Sequence, residues 1–268
     1  GVGAVVGSAI FNVLVIPALA GIATEEPVDS NRTIVYKEAQ FYMIAVSVMV
    51  VTFALAVIYY PVPGGEALEG QVTPTLALLP LLLYGLYLFI QWQDVGDYDA
   101  DEDGRIEDVA RQWGKLAVGL LVILVAVEQM VGAVEGLNAA YGIPEFLAGV
   151  TIIAAATSLP DSLVSVRAAR AGKGVTSLGN VLGSNTFDLL VAIPVGVLIA
   201  GTALPVNFAV AVPMMGVLTL ATILLFTTLR TGLSLSDAES YLLLVAYLLF
   251  LAWVVAETLG ITGVIQGV

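Results

Sequence analysis

Eight apolar runs of about 20 residues divide this 268-residue sequence, and they leave the chain few ways to fold. They lie at roughly 1–22, 38–60, 74–92, 115–138, 146–170, 176–200, 207–229 and 239–259. A run of that length spans the ~30 Å hydrocarbon core of a bilayer as a helix. Only helices and closed barrels satisfy their own backbone polar groups there. Charged residues make up 12% of the chain and mean hydropathy is +0.99, whereas a soluble domain carries about 25% charged residues. The expected fold class is therefore an all-α polytopic membrane protein with eight transmembrane helices. Cysteine and histidine are both absent. That excludes disulfides, soft-metal sites, thiol nucleophiles and imidazole acid–base chemistry. Serine and aspartate without histidine, or lysine at depth, make a poor intramembrane enzyme, so no enzyme is expected.

The nine basic residues test the span count. Arg32 and Lys37 border the first loop, and Arg105, Arg111 and Lys115 the third. Arg167, Arg170 and Lys173 surround the fifth, and Arg230 lies in the seventh. All nine fall in odd-numbered loops, which the positive-inside rule makes cytoplasmic. Residue 1 and the C-terminus are then expected outside, in the plasma membrane of a prokaryote. The net charge of −13 is mainly a property of loops, since eight of the 22 acids lie between Asp94 and Asp108. The chain divides accordingly into membrane segments 1–92 and 115–268, joined by an acidic cytoplasmic loop at 93–114.

A repeat links two of the runs. Aligning "GAVVGSAIFNVL" (3–14) with "GNVLGSNTFDLL" (179–190) superposes Gly3 on Gly179, Gly7 on Gly183 and Ser8 on Ser184. It also places Phe11 on Phe187 and Asn12 on Asp188. The copies occupy the first and sixth spans and so run in opposite directions. Inverted repeats with polar groups at matching depth mark secondary transporters, whose sites lie at the midplane where the repeats meet. Close helix packing explains the glycines equally well, but not the Asn/Asp pair.

Asp188 sits about 18 Å along its span at ~1.5 Å per residue, near mid-bilayer. A charged carboxylate there costs roughly 2.5–3.5 kcal/mol, and no Lys or Arg lies at that depth to neutralise it. Ser184, four residues earlier, shares its helix face. The fifth span, "GVTIIAAATSLPDSLVSVRAAR", repeats the spacing with Thr157 and Asp161. Pro160 lacks an N–H and frees the Ala156 carbonyl, bending the helix. Such breaks are tolerated only where they line protein or a watery cavity. Carboxylates, hydroxyls, an amide and freed carbonyls form an all-oxygen set suited to hard cations such as Ca²⁺ and Na⁺.

At these residues the sequence resembles a known family. The stretch from "GIPEFLAGVTIIAAATSLPDS" through "GNVLGSNTFDLLVAIPVG" is similar to the second α-repeat of the cation/calcium exchanger superfamily (146–200 here). "GVGAVVGSAIFN" is similar to the latter half of its first. Asp161 within TSLPD and the "GSAIFN" form lean toward the potassium-dependent sodium/calcium branch. The resemblance implies a ten-helix inverted-repeat fold and antiport of Na⁺ against Ca²⁺ by alternating access, with K⁺ left open and no cofactor. It implies ion ligands at Asp161, Thr157, Ser158, Asp188 and Ser184, with Ser8 and Asn12 in the matching first-repeat places. The family's first two spans have no counterpart here, so missing N-terminal helices or a partner chain are expected to complete the site.

Other readings stay open at this point. A Ca²⁺/H⁺ or Na⁺/Mg²⁺ exchanger would use a similar carboxylate pair, and a non-transporting calcium sensor would use the acidic loop. That loop places Asp99, Asp101, Asp103 and Gly104 at EF-hand positions 1, 3, 5 and 6. Ala110 stands where the bidentate glutamate belongs, so a solvated acidic linker is the favoured reading. Glu128 is a further acid inside the fourth span.

Overall fold

The computed structural model describes residues 2–65, 68–95 and 109–265. Its long helices are α1 (Val2–Ile22), α2 (Thr33–Tyr59), α3 (Pro74–Val95) and α4 (Val109–Tyr141). Next come α5 (Glu145–Thr157) and α6 (Leu159–Arg170), which meet at Ser158 with a 44° bend. The remaining helices are α7 (Gly174–Ala200), α8 (Phe208–Arg230) and α9 (Asp237–Thr258). Seven helices are long and apolar enough to cross a membrane, and the bent α5–α6 pair makes an eighth span. The predicted eight runs are all present. The fourth is longer than its apolar stretch, because Arg111, Gln112 and Lys115 are good helix formers that extend it toward the loop.

Four short strands, not anticipated from the sequence, tie the loops together. β1 (Val28–Asp29) pairs antiparallel with β4 (Ser234–Leu235), joining the first and seventh loops. β2 (Glu69–Val72) pairs with β3 (Leu204–Asn207), joining the second and sixth. Arg170 Nε donates to the Ala23 carbonyl at 3.3 Å, and the Arg230 guanidinium lies 5.7 Å over the Tyr36 ring. Odd loops thus meet odd loops and even meet even, as eight crossings require.

Helix α1 is the centre of the bundle. It is apolar on every side, and such a helix is stable only when surrounded. Of its apolar window 78% is buried, against 6% for α4. It packs against α5, α6, α7, α8 and α9, with Val6, Ala9, Ile10, Val13 and Ile16 fully buried. The EF-hand-like stretch at 99–110 lies largely outside the described residues. Glu128 is exposed on α4 rather than facing the central cluster.

The α1–α5 contact depends on Gly7. A Cβ there would sit 2.6 Å from the Val150 carbonyl oxygen and 2.9 Å from its Cα. Backbone cannot retreat from such a contact as a flexible side chain can. Gly7→Ala is therefore expected to destabilise the protein by about 1–3 kcal/mol. Gly85→Ala, with nothing within 4 Å of its Cβ position, should not destabilise it by more than about 0.5 kcal/mol. Thermal melting of the two variants in detergent checks the contrast.

Candidate functional site

The candidate site forms where α1 crosses the bend between α5 and α6 and lies alongside α7. Ser158 stands at the bend. Its hydroxyl is 2.8 Å from that of Ser8 on α1, and both are buried. One turn further along α6, the half-buried Asp161 accepts from Asn12 Nδ2 at 3.5 Å. The Ser184 hydroxyl on α7 donates to the Val181 carbonyl of its own turn, at 3.2 Å. Asn180 pins α6 to α7, donating to the Asp161 carbonyl at 3.4 Å and to Ser165 Oγ at 3.1 Å.

Asp188 opens a π-helical segment, Asp188–Ala192, inside α7, and α5 carries another at Gly149–Ile153. Single π turns of this kind recur at functional sites, because the wider turn re-aims side chains and loosens the i→i−4 ladder. One lies before the bend in the span that carries Asp161 and one on α7, which carries Asp188; α2 opens with a third at Thr33–Glu38. Asp161 and Asp188 face a common cavity of about 260 Å³, lined also by Ser8, Thr157, Ala4, Val5, Ile153 and Ala192. Its lining comes from the first half of α1, the end of α5 and the middle of α7. These lie toward the membrane face that carries the even loops.

All seven residues singled out from the sequence meet in this cluster, in two tiers. Asp161, Asp188, Thr157 and Ser8 line the cavity. Ser158 and Asn12 stand behind them, bonded to Ser8 and Asp161, and Ser184 lies one turn before Asp188 on α7, donating to Val181. Thr157 donates its hydroxyl proton back to the Ile153 and Ala154 carbonyls at 3.0 and 3.1 Å. Its oxygen lone pairs stay available. Asn12 is fully buried, yet its Oδ1 has no hydrogen-bond partner. Buried carbonyl oxygens are rarely left bare, and in this amide it is the nitrogen that meets the Asp161 carboxylate.

Two contributors escaped the sequence reading. Asn185, fully buried, accepts from Asn12 Nδ2 at 2.9 Å and donates to the Ala9 carbonyl at 3.1 Å. Tyr42 of α2 accepts from Asn185 at 3.3 Å. The signal for Asn185 was within the quoted motif GNVLGSNTFD, but its repeat counterpart is Ala9, so the Asn/Asp comparison passed over it. Tyr42 stands in an ordinary apolar run and carried no signal. The Asn185–Ala9 bond joins a residue to its own repeat counterpart, so the pseudo-two-fold axis passes close by.

Chemically the cluster offers two carboxylates, four hydroxyl oxygens and an unpartnered amide oxygen, all hard donors. The Asn12 amide is the side chain that donates to Asp161, and no Lys or Arg is among the cavity's lining residues, which leaves two carboxylates facing one cavity without a counter-charge. Among the described residues no group of three or more acids comes together.

Comparisons with known proteins agree with the geometry. The sequence profile of a family described as "Sodium/calcium exchanger protein" matches residues 1–93 and 111–256. An uncharacterized membrane protein of Methanocaldococcus jannaschii is 29% identical over 198 residues, 73% of this chain and 59% of that protein. Human sodium/potassium/calcium exchanger 5 is 50% identical over 48 residues, 18% of this chain and 10% of that protein. The chain thus spans less than two thirds of these relatives. The solved sodium/calcium exchanger from Methanococcus jannaschii has the same fold, with a TM-score of 0.61 and 24% identity. That match covers 93% of this chain and 74% of the other.

Two like charges facing one cavity predict a cation-dependent stability. Calcium at about 100 times its Kd should stabilise the protein by roughly 2.7 kcal/mol. Asp188→Asn, which removes one charge, should raise the melting temperature without calcium and abolish most of the calcium response. Thermal melts across a calcium titration read both effects.

Proposed function

The chain belongs to the sodium/calcium exchanger protein family, and on that premise we propose that it exchanges Na⁺ for Ca²⁺ across the membrane by alternating access. The observation that carries this reading is the convergence of Asp161 and Asp188 on one cavity between oppositely directed repeats. The ligands in this proposal are those two carboxylates with Thr157, Ser8, Ser158, Ser184 and the Asn12 amide oxygen. One Ca²⁺ neutralises both acids, and so do two Na⁺. An empty site keeps two bare charges at mid-membrane depth, where each costs several kcal/mol. Reorientation while empty is thereby discouraged, which makes the cycle an exchange rather than a leak. The odd loops, which hold all nine basic residues, face the cytoplasm in this reading.

The same proposal includes a second broken helix, supplied by a segment outside these 268 residues or by a partner chain. The motive is an asymmetry between repeat counterparts. Gly7 touches the α5 backbone, whereas a Cβ on Gly183 would meet nothing within 4 Å. Ser8 bonds Ser158 across the helices, whereas Ser184 donates only to its own turn, at Val181. Phe11 is half-buried and Phe187 exposed. A face equipped like α1 but left open suits a helix equivalent to α5–α6.

In proteoliposomes loaded with Na⁺, the intact protein should take up Ca²⁺ only while the outward sodium gradient lasts. Asp161→Asn and Asp188→Asn should each lower uptake by roughly 10–100-fold. Uptake that ignores sodium and follows a proton gradient would instead assign Ca²⁺/H⁺ exchange. Covering of the α7 face predicts that Gly183→Leu abolishes uptake, as Gly7→Leu should. Unchanged uptake in Gly183→Leu would mean that this face meets lipid.

A further inference from the structure

We propose that Tyr42 and Asn185 are positioning residues that fix the orientation of the Asn12 amide so that its oxygen, never its nitrogen, is presented to the cation. The inference rests on the exchanger reading and adds to it two residues with no other assigned role. Three buried side chains form a directed line of hydrogen bonds: Asn12, Asn185 and Tyr42, each with essentially no exposure. The direction is set by the Ala9 backbone carbonyl, which can only accept.

The Tyr42 oxygen accepts from Asn185 Nδ2 at 3.3 Å. The Ala9 carbonyl takes the second proton of the same Nδ2 at 3.1 Å. Asn185 is thus held nitrogen-outward by two acceptors, and its Oδ1 must face Asn12. Only a donor satisfies that oxygen, so Asn12 turns Nδ2 toward it at 2.9 Å, and the second N–H points at Asp161 Oδ2 at 3.5 Å. Both N–H groups of each amide are committed. What remains is Asn12 Oδ1, fully buried and without a partner.

Flipping Asn12 would aim its oxygen at the Asn185 oxygen and strand two N–H donors, each an uncompensated buried polar group. The flip would also point N–H groups toward a bound cation. The relay therefore makes an asparagine serve as a dedicated oxygen ligand at the place where its repeat counterpart, Asp188, needs no orienting because both of its outer atoms are oxygens. This explains why a buried tyrosine and asparagine stand in an apolar core.

A double-mutant cycle on calcium affinity, measured by isothermal titration of the intact purified protein, tests the relay. Asn185→Leu should weaken calcium binding by about 10–100-fold when residue 12 is the native Asn, the range seen when partners that orient a ligand are removed. In an Asn12→Asp background, where a flip exchanges oxygen for oxygen, the same change should cost less than about threefold. Coupling of this size marks interacting rather than independent sites. Tyr42→Phe keeps the ring and removes one acceptor. It should cost about threefold with Asn12 and nothing measurable with Asn12→Asp, so the test survives if Asn185→Leu fails to fold. Equal losses in both backgrounds would overturn the relay and reduce Asn185 and Tyr42 to core filling. A parent protein that binds no calcium would overturn the exchanger reading itself, and the relay with it.

Discussion

A carboxylate at mid-membrane depth is tolerable only if something shares its charge, and this bundle brings two of them to one cavity without a basic side chain among their hydrogen-bond partners. The rest of the architecture follows from holding that arrangement between helices. The bend at Ser158, forced by Pro160, turns Asp161 toward α7. The π segment beginning at Asp188 turns its carboxylate toward α5. Neither distortion would persist in an isolated helix, since each sacrifices regular backbone bonds that lipid cannot replace. Packing against α1 holds them.

Helix α1 is the part that both repeats share. It supplies Ser8 and Asn12 to the cluster, and Gly7 allows it to approach the α5 backbone. Its carbonyl at Ala9 receives the amide of Asn185, its own repeat counterpart. A pseudo-two-fold axis through that contact accounts for the location of the acids. Residues at matching depth on antiparallel copies meet where the copies cross, and nowhere else. Burial departs from that axis, since Gly7 and Phe11 are covered while Gly183 and Phe187 lie open.

The hydrogen bonds behind the cavity differ in kind from those lining it. Lining groups keep lone pairs free, as Thr157 does by donating to its own turn. The amide donors behind them are committed, and their commitment is directional. The backbone carbonyl at Ala9 anchors the Asn185 amide, so the acceptor left over falls on Asn12. Committed buried networks are rigid, which holds the side chains around the cavity in one arrangement.

Much of this was legible in the sequence. Eight spans followed from run length, and their sidedness from basic residues confined to odd loops, because both depend on local composition and on the thickness of a bilayer. The acids, hydroxyls and Asn12 were visible because a polar group in an apolar run stands out, and the inverted repeat showed which of them share a depth. The clipped loops, the exposure of Glu128 and the roles of Tyr42 and Asn185 were not. Pairing between β1 and β4, or between Tyr42 and Asn185, links residues well over a hundred positions apart, and no local pattern encodes it. The sequence alone determined that the chain crosses the membrane and carries carboxylates, hydroxyls and an amide at mid-depth. Only the tertiary structure decided that Asp161 and Asp188 face one cavity and which end of each buried amide meets which neighbour, because hydrogen-bond direction is fixed by neighbours in space.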